Sequence, residues 1–197
     1  MPLFSHTNRR SPKAGNESEV GKLDYRIGNP NHGQGVYLTG AEQPIATEGQ
    51  VVTSEFMLGT TTTAYTANDA VGQIIEIPAA RSPGRGGVIE TVVFMENTTQ
   101  AISLTLWLWR QRPATETADN AAFAYSDAIM RETIGFIPIT SYATTSPTNN
   151  RVAVARGVGL AYQCGVNDSL IYGQLQTDGT PTYELNGCKL LVSTILE

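Results

Sequence analysis

Side chains able to carry chemistry are few in this 197-residue chain, and they are scattered. Both histidines, His6 and His32, lie in the first 46 residues. A serine or cysteine nucleophile needs a base within hydrogen-bond reach. A Ser-His-Asp or Cys-His site would therefore have to recruit an imidazole from that segment. There is no H-x-x-x-H pair, C-x-x-C pair or carboxylate-rich calcium loop, so no metal site is expected. Asp119 and Asp127 lie close in sequence, and paired carboxylates can hydrolyse glycosides. The same residues also suit loop turning and helix capping, which is the simpler reading. Gly84-Arg85-Gly86-Gly87 lacks the lysine and following helix of a phosphate loop and reads as a turn. Cys164 and Cys188 read as small buried thiols, with a disulfide between them as the less favoured alternative. The expectation is a protein with no catalytic residue, cofactor or metal.

Two tryptophans offer another kind of chemistry. From Ala101 to Arg110, Ile102, Leu104, Leu106 and Leu108 alternate with Ser103, Thr105, Trp107 and Trp109. On a strand this places both indoles on one sheet face. Such a pair can stack a sugar, as in a carbohydrate-binding β-sandwich module. Burial against a second sheet, a helix or a neighbouring subunit is the default. Arg110 and Arg112 end the run before Pro113 and are candidate partner contacts, since arginine is enriched at interfaces.

These residues must be positioned by short β-elements. Charged residues make up 16% of the chain, against about 25% in a typical globular protein. The net charge of -5 supplies no excess of cations to neutralise phosphates, so no nucleic-acid partner is expected. No apolar run approaches the ~20 residues of a membrane helix, and the start of the chain does not read as a signal peptide. Residues 1–46 are rich in glycine and proline, without sustained period 2 or 3.6. They read as an extended arm that docks through spaced anchors, among them Phe4, Arg9, Arg10, Tyr25 and Tyr37. At ~3.3 Å per residue such an arm spans ~150 Å. Residues 1–28 hold five Lys/Arg and three Asp/Glu, a balance of +2, so the remainder carries -5 - 2 = -7.

Residues 47–197 read as one β domain. Strands are expected at Gln50–Leu58, Gln73–Ile77, Val88–Met95, Ala101–Arg110, Phe136–Ile139, Arg151–Ala155, Leu170–Leu175, Thr182–Leu185 and Cys188–Leu196. The apolar run Val88–Met95 suggests a strand buried on both faces. Ser126 can N-cap a short helix over Asp127–Glu132, ended by Gly135. Asn186-Gly187 reads as a hairpin turn. The fold class expected is all-β: an antiparallel β-sandwich or jelly roll with one short helix and an extended N-terminal arm.

Five motifs in order resemble the jelly-roll head decoration (cement or auxiliary capsid) proteins of tailed bacteriophages. They begin with Tyr65-x-x-x-Asp69-x-Val71-Gly72 and continue with Gly86-Gly87 before a strand. Next come Leu106-Trp107-Leu108-Trp109 running towards Pro113, then Asp119-Asn120-Ala121-Ala122-Phe123 through Ser126-Asp127-Ala128, then Ile134-Gly135. Trp109 and Arg110 stand where the family more often has Phe and an acidic residue. The resemblance spans about residues 50–197. It implies a virion structural role on the capsid outer surface, assembled in the bacterial host cytoplasm, without catalysis. The partners implied are the major capsid protein and copies of this chain, with a homotrimer suited to a three-fold lattice position. A tail, baseplate or neck protein would share the same fold argument.

Overall fold

Alternation of apolar and polar residues builds most of the strands. The computed structural model describes residues 50–143 and 150–197. Eight strands appear among these residues: β1 (Gln50–Leu58), β2 (Ala70–Pro78), β3 (Gly86–Glu96), β4 (Leu104–Trp109), β5 (Thr133–Ile139), β6 (Arg151–Gln163), β7 (Leu170–Thr177) and β8 (Cys188–Leu196). One short helix, α1 (Asp127–Met130), precedes β5. Along β8, Cys188, Leu190, Val192, Thr194 and Leu196 are buried while the residues between them are half-buried. That is the period of 2 expected of a strand covered on one face.

The pairing is nested. β1 pairs with β8, β2 with β7, β3 with β6 and β4 with β5, all antiparallel. This is one long ribbon rolled up on itself, closed by the further pairs β3–β8 and β4–β7. The two resulting sheets have the orders β1-β8-β3-β6 and β2-β7-β4-β5. These orders make the all-β domain a jelly roll, an eight-stranded sandwich of two Greek keys. The core lies between the sheets. Ile89, Val92, Phe94, Leu190 and Val192 come from one; Val71, Ile77, Leu104, Leu106, Leu108, Ile137 and Leu175 come from the other.

Several elements depart from expectation, each for a local reason. β3 is buried on one face only: Ile89, Val92 and Phe94 point inward, while Val93 and Met95 are half-buried on the outer face. A register shift between Ile89 and Thr91 changes which residues face inward. β6 runs on past Ala155 to Gln163 because Gly157 and Gly159, at φ +59° and +62°, form a bulge inside it. β4 starts only at Leu104; Ala101 has φ +50° and its N–H turns back to the Glu96 carboxylate (2.8 Å). α1 ends at Met130. Gly135 is not its stop but lies within β5 at φ +151°, where a Cβ would come within 3.2 Å of Leu160.

Thr182–Leu185 forms no strand. Tyr183 turns into the core instead, edge-on to Tyr65 (5.4 Å between centroids) and Phe94 (6.3 Å). Asn186, at φ +54°, therefore turns the chain from this plug into β8 and joins no pair of strands. Both Cys164 and Cys188 are free and buried, as expected of reduced thiols, and no disulfide joins them.

Phe94 sits at the centre of this packing, fully buried on β3. Phe94→Ala is expected to lower unfolding stability by about 3–5 kcal/mol, read as a shift in the urea midpoint with an unchanged slope. Glu96 is also fully buried, its carboxylate accepting from the Thr98 hydroxyl (3.0 Å) and the Ala101 N–H. Burial pushes its pKa above the ordinary glutamate value, outweighing those hydrogen bonds and the attraction of Arg151. A raised carboxyl pKa favours the folded state below the ordinary value, and that contribution is lost as pH rises through the folded pKa. Wild-type stability, relative to Glu96→Gln, should therefore decline as pH rises from the acid side. Denaturation of both chains across a pH series measures it.

Candidate interaction surface

Two of the sequence motifs meet in one polar knot. The Tyr65 hydroxyl and the Gly72 N–H each donate to Asp119 Oδ1 at 2.7 Å, and the Thr61 N–H donates to Oδ2 at 3.1 Å. Gly72 has φ +72°, which allows its N–H this aim, and a Cβ there would lie 3.1 Å from that of Leu58. Around the carboxylate, main-chain bonds join the segments: Ala70 N–H to Ala121 O (2.8 Å), Asn120 N–H to Ala70 O (2.9 Å) and Phe123 N–H to Asn68 O (2.8 Å). Asp69 accepts from both the N–H and hydroxyl of Thr66, each at 2.7 Å. Burial first, then the bond to Asp119, pushes the Tyr65 hydroxyl well above the usual tyrosine value. Asp119 is thus committed to three donors, while Asp127 sits in the first turn of α1 behind its N-cap Ser126. Both carry the turning and capping role of the simpler reading.

The knot holds the β4–β5 connection over the outer face of the sheet β2-β7-β4-β5. Phe123 and Tyr125 from that connection lie against Trp107 and Trp109, with centroid distances of 6.0 Å for Phe123–Trp107 and 4.9 Å for Tyr125–Trp109. Gln174 fixes the arrangement from β7. It accepts from the Tyr125 hydroxyl and donates to Thr117 O (2.8 Å) and Gly72 O (3.0 Å). Trp107 donates to Gln176 Oε1 at 2.9 Å. Trp109 is fully buried and presents no open ring to a sugar. The two indoles share a face, as expected, but Trp109 is covered from within the chain and Trp107 is half-buried beside Phe123 and Phe136, so the two rings do not form an open stacking pair. Arg110 and Arg112 stay exposed beside it. Arg110 pairs with Glu132 (3.4 Å), and Arg112 pairs with Glu116 and Glu76. Such exposed pairs are worth about 0–1 kcal/mol each.

The outer face of β1-β8-β3-β6 has a different character. The cross-strand registers lay out four rows on it. One row holds Val51, Ile195 and Val88; the next holds Thr53, Ser193, Thr91 and Arg156. The third is Glu55, Leu191, Val93 and Val154, and the fourth is Met57, Lys189, Met95 and Val152. Lys189 holds Glu55 at 2.9 Å, and Thr53 and Ser193 share a hydrogen bond of 2.9 Å. The interior positions are half-buried by their strand neighbours, while Val51 and Met57 at the margin are 65% and 63% exposed. Apart from the polar row of Thr53, Ser193, Thr91 and Arg156 and the Glu55–Lys189 pair, this face is apolar, which makes it a candidate interaction surface. It was hidden in the sequence because an apolar run such as Val88–Met95 also describes a strand covered on both sides. The continuous apolar pairs Leu190-Leu191 and Val92-Val93 are the signal that both faces of those strands are apolar. The arm residues Phe4, Arg9, Arg10, Tyr25 and Tyr37 lie outside the described residues.

No family model matches the chain, and no curated protein matches it. Among solved structures, a crystal structure of tomato aspermy virus matches at a TM-score of 0.38 and 9% identity, covering 92% of this chain and 93% of that one. A similarity of that size establishes neither shared ancestry nor a shared role.

The knot is testable directly. Asp119→Ala should cost about 2–4 kcal/mol, since it strands several donors of a charge-assisted cluster, and Tyr65→Phe about 1–1.5 kcal/mol. Chemical denaturation gives both values. Equal effects on the two variants would mean that Asp119 serves only its tyrosine partner.

Proposed function

We propose that this chain is a virion structural protein of a tailed bacteriophage. In this reading it binds the outer surface of the assembled head and clamps neighbouring subunits of the major capsid protein. The observation that carries the proposal is the largely apolar outer face of β1-β8-β3-β6, which offers surface for burial against another protein. The ordered motifs resembling head decoration proteins support the same role, and two of them serve the knot that closes the opposite face. The role asks for no catalysis. A protein that binds only the assembled shell stabilises it by mass action. Many copies on one particle convert weak contacts into avidity. The arm, residues 1–46, would add anchors such as Phe4, Arg9, Arg10, Tyr25 and Tyr37, or a strand on a neighbour's sheet edge.

Quantitative mass spectrometry of purified virions tests the role. The expected result is one copy per major capsid protein, or a simple fraction of it. A few copies per particle would move the protein to the tail, neck or a vertex, and absence from clean particles would remove the virion reading. The contact face has its own test. Leu191→Lys, folded by circular dichroism, should weaken binding to isolated heads by more than about tenfold, as loss of an apolar anchor does. Undiminished binding would exclude this face as the contact.

A further inference from the structure

The four edge strands of the sandwich are not equally guarded. An open edge presents unpaired N–H and C=O groups, and proteins blunt such edges with proline, bulges, charges or a covering segment. β5 carries Pro138, and β2 ends in Pro78 and has a register shift between Val71 and Ile75. β6 has the Gly157–Gly159 bulge, and its first residues are covered by Tyr142, bridged to Ala153, and by the Ala143 N–H on Val152 O. Among the described residues, β1 has none of these. It pairs with β8 over nine unbroken residues, contains no proline or glycine, and its one charge, Glu55, is already held by Lys189. Every second residue turns its main-chain groups away from β8.

The sequence of β1 is self-complementary about Ser54. We propose that this edge pairs antiparallel with β1 of a second copy, across a two-fold axis through Ser54, joining two four-stranded sheets into one of eight. In that register Val51 faces the second copy's Met57, Thr53 faces Glu55, and Val52 faces Phe56. The two most exposed apolar side chains of β1 thereby cover each other. Each contact occurs twice, as a two-fold interface requires. Charge selects this register over its neighbours. Moving the axis to Glu55 would set like charges directly opposite, which is destabilising. Moving it to Thr53 would set Val51 against Glu55 and leave Met57 and Leu58 unpaired.

The size of the contact fixes its strength. Nine residues give an edge about 30 Å long. Pairing makes about eight to ten main-chain hydrogen bonds, as many as a typical interface carries. The area buried is on the order of 800 Å² in total, below the ~1,200–2,000 Å² of stable complexes. The dimer is therefore weak in dilute solution and forms where copies are concentrated side by side.

Sedimentation of the full chain over a concentration series tests the pairing. The expected result is a reversible monomer–dimer equilibrium, weakened about tenfold or more by Val51→Glu or by Met57→Lys. Both positions are exposed, so both variants should fold. An equimolar mixture of the two variants should recover dimer, because it sets opposite charges across one pair and leaves the other pair unchanged. A chain that stays monomeric throughout overturns the proposal, as does a dimer or trimer that ignores both substitutions. A monomer whose β1 amides exchange slowly overturns it too, in favour of residues 1–49 as the occupant of that edge. None of these measurements uses a phage head, so they stand or fall apart from the proposed head binding.

Discussion

One carboxylate decides which side of this sandwich is closed. Asp119 gathers donors from Thr61, Tyr65 and Gly72, and so ties the β1–β2 loop to the long connection after β4. That tie places Phe123 and Tyr125 over the tryptophans. Part of the outer face of one sheet, around Trp109 and Gln174, becomes interior as a result, while Phe136 stays exposed. The other sheet keeps its apolar outer positions half-buried or exposed.

The jelly-roll class was legible because most strands obey a simple period. β4 and β8 alternate residue by residue, and Ser126 caps α1 as its position suggests. The misreadings cluster where one residue type serves two physical ends. The strand expected at Arg151–Ala155 runs on to Gln163 because glycines at 157 and 159 form a bulge within it. Gly135 resembled a helix stop but makes room for Leu160. Thr182–Leu185 had strand-forming composition, yet burial of the Tyr183 ring decided its path.

The interaction surface was less legible than the fold. The tryptophans drew notice because indoles are rare and chemically versatile, yet Trp109 is fully interior. The apolar sheet face is made of Val, Leu, Ile and Met, whose presence on a strand usually means core. Only the cross-strand registers show that Val93, Leu191 and Val154 share a row facing away from the core. Arg110 and Arg112 were chosen for their residue type, and the structure places both in ion pairs around the closed face.

The nesting of the strands also sets the tempo of assembly. β8 lies between β1 and β3, so until the last of the eight described strands has been synthesised β1 has no sheet neighbour and β3 has only β6. The first sheet cannot zip up progressively from its N-terminal end. Chains dominated by such distant pairings fold on the order of milliseconds to seconds rather than microseconds. During that wait β1 stands unpaired and β3 is paired along one edge only, and transient exposure of this kind favours aggregation. The architecture that yields a closed ribbon in the native state thus makes its folding dependent on a late, central strand.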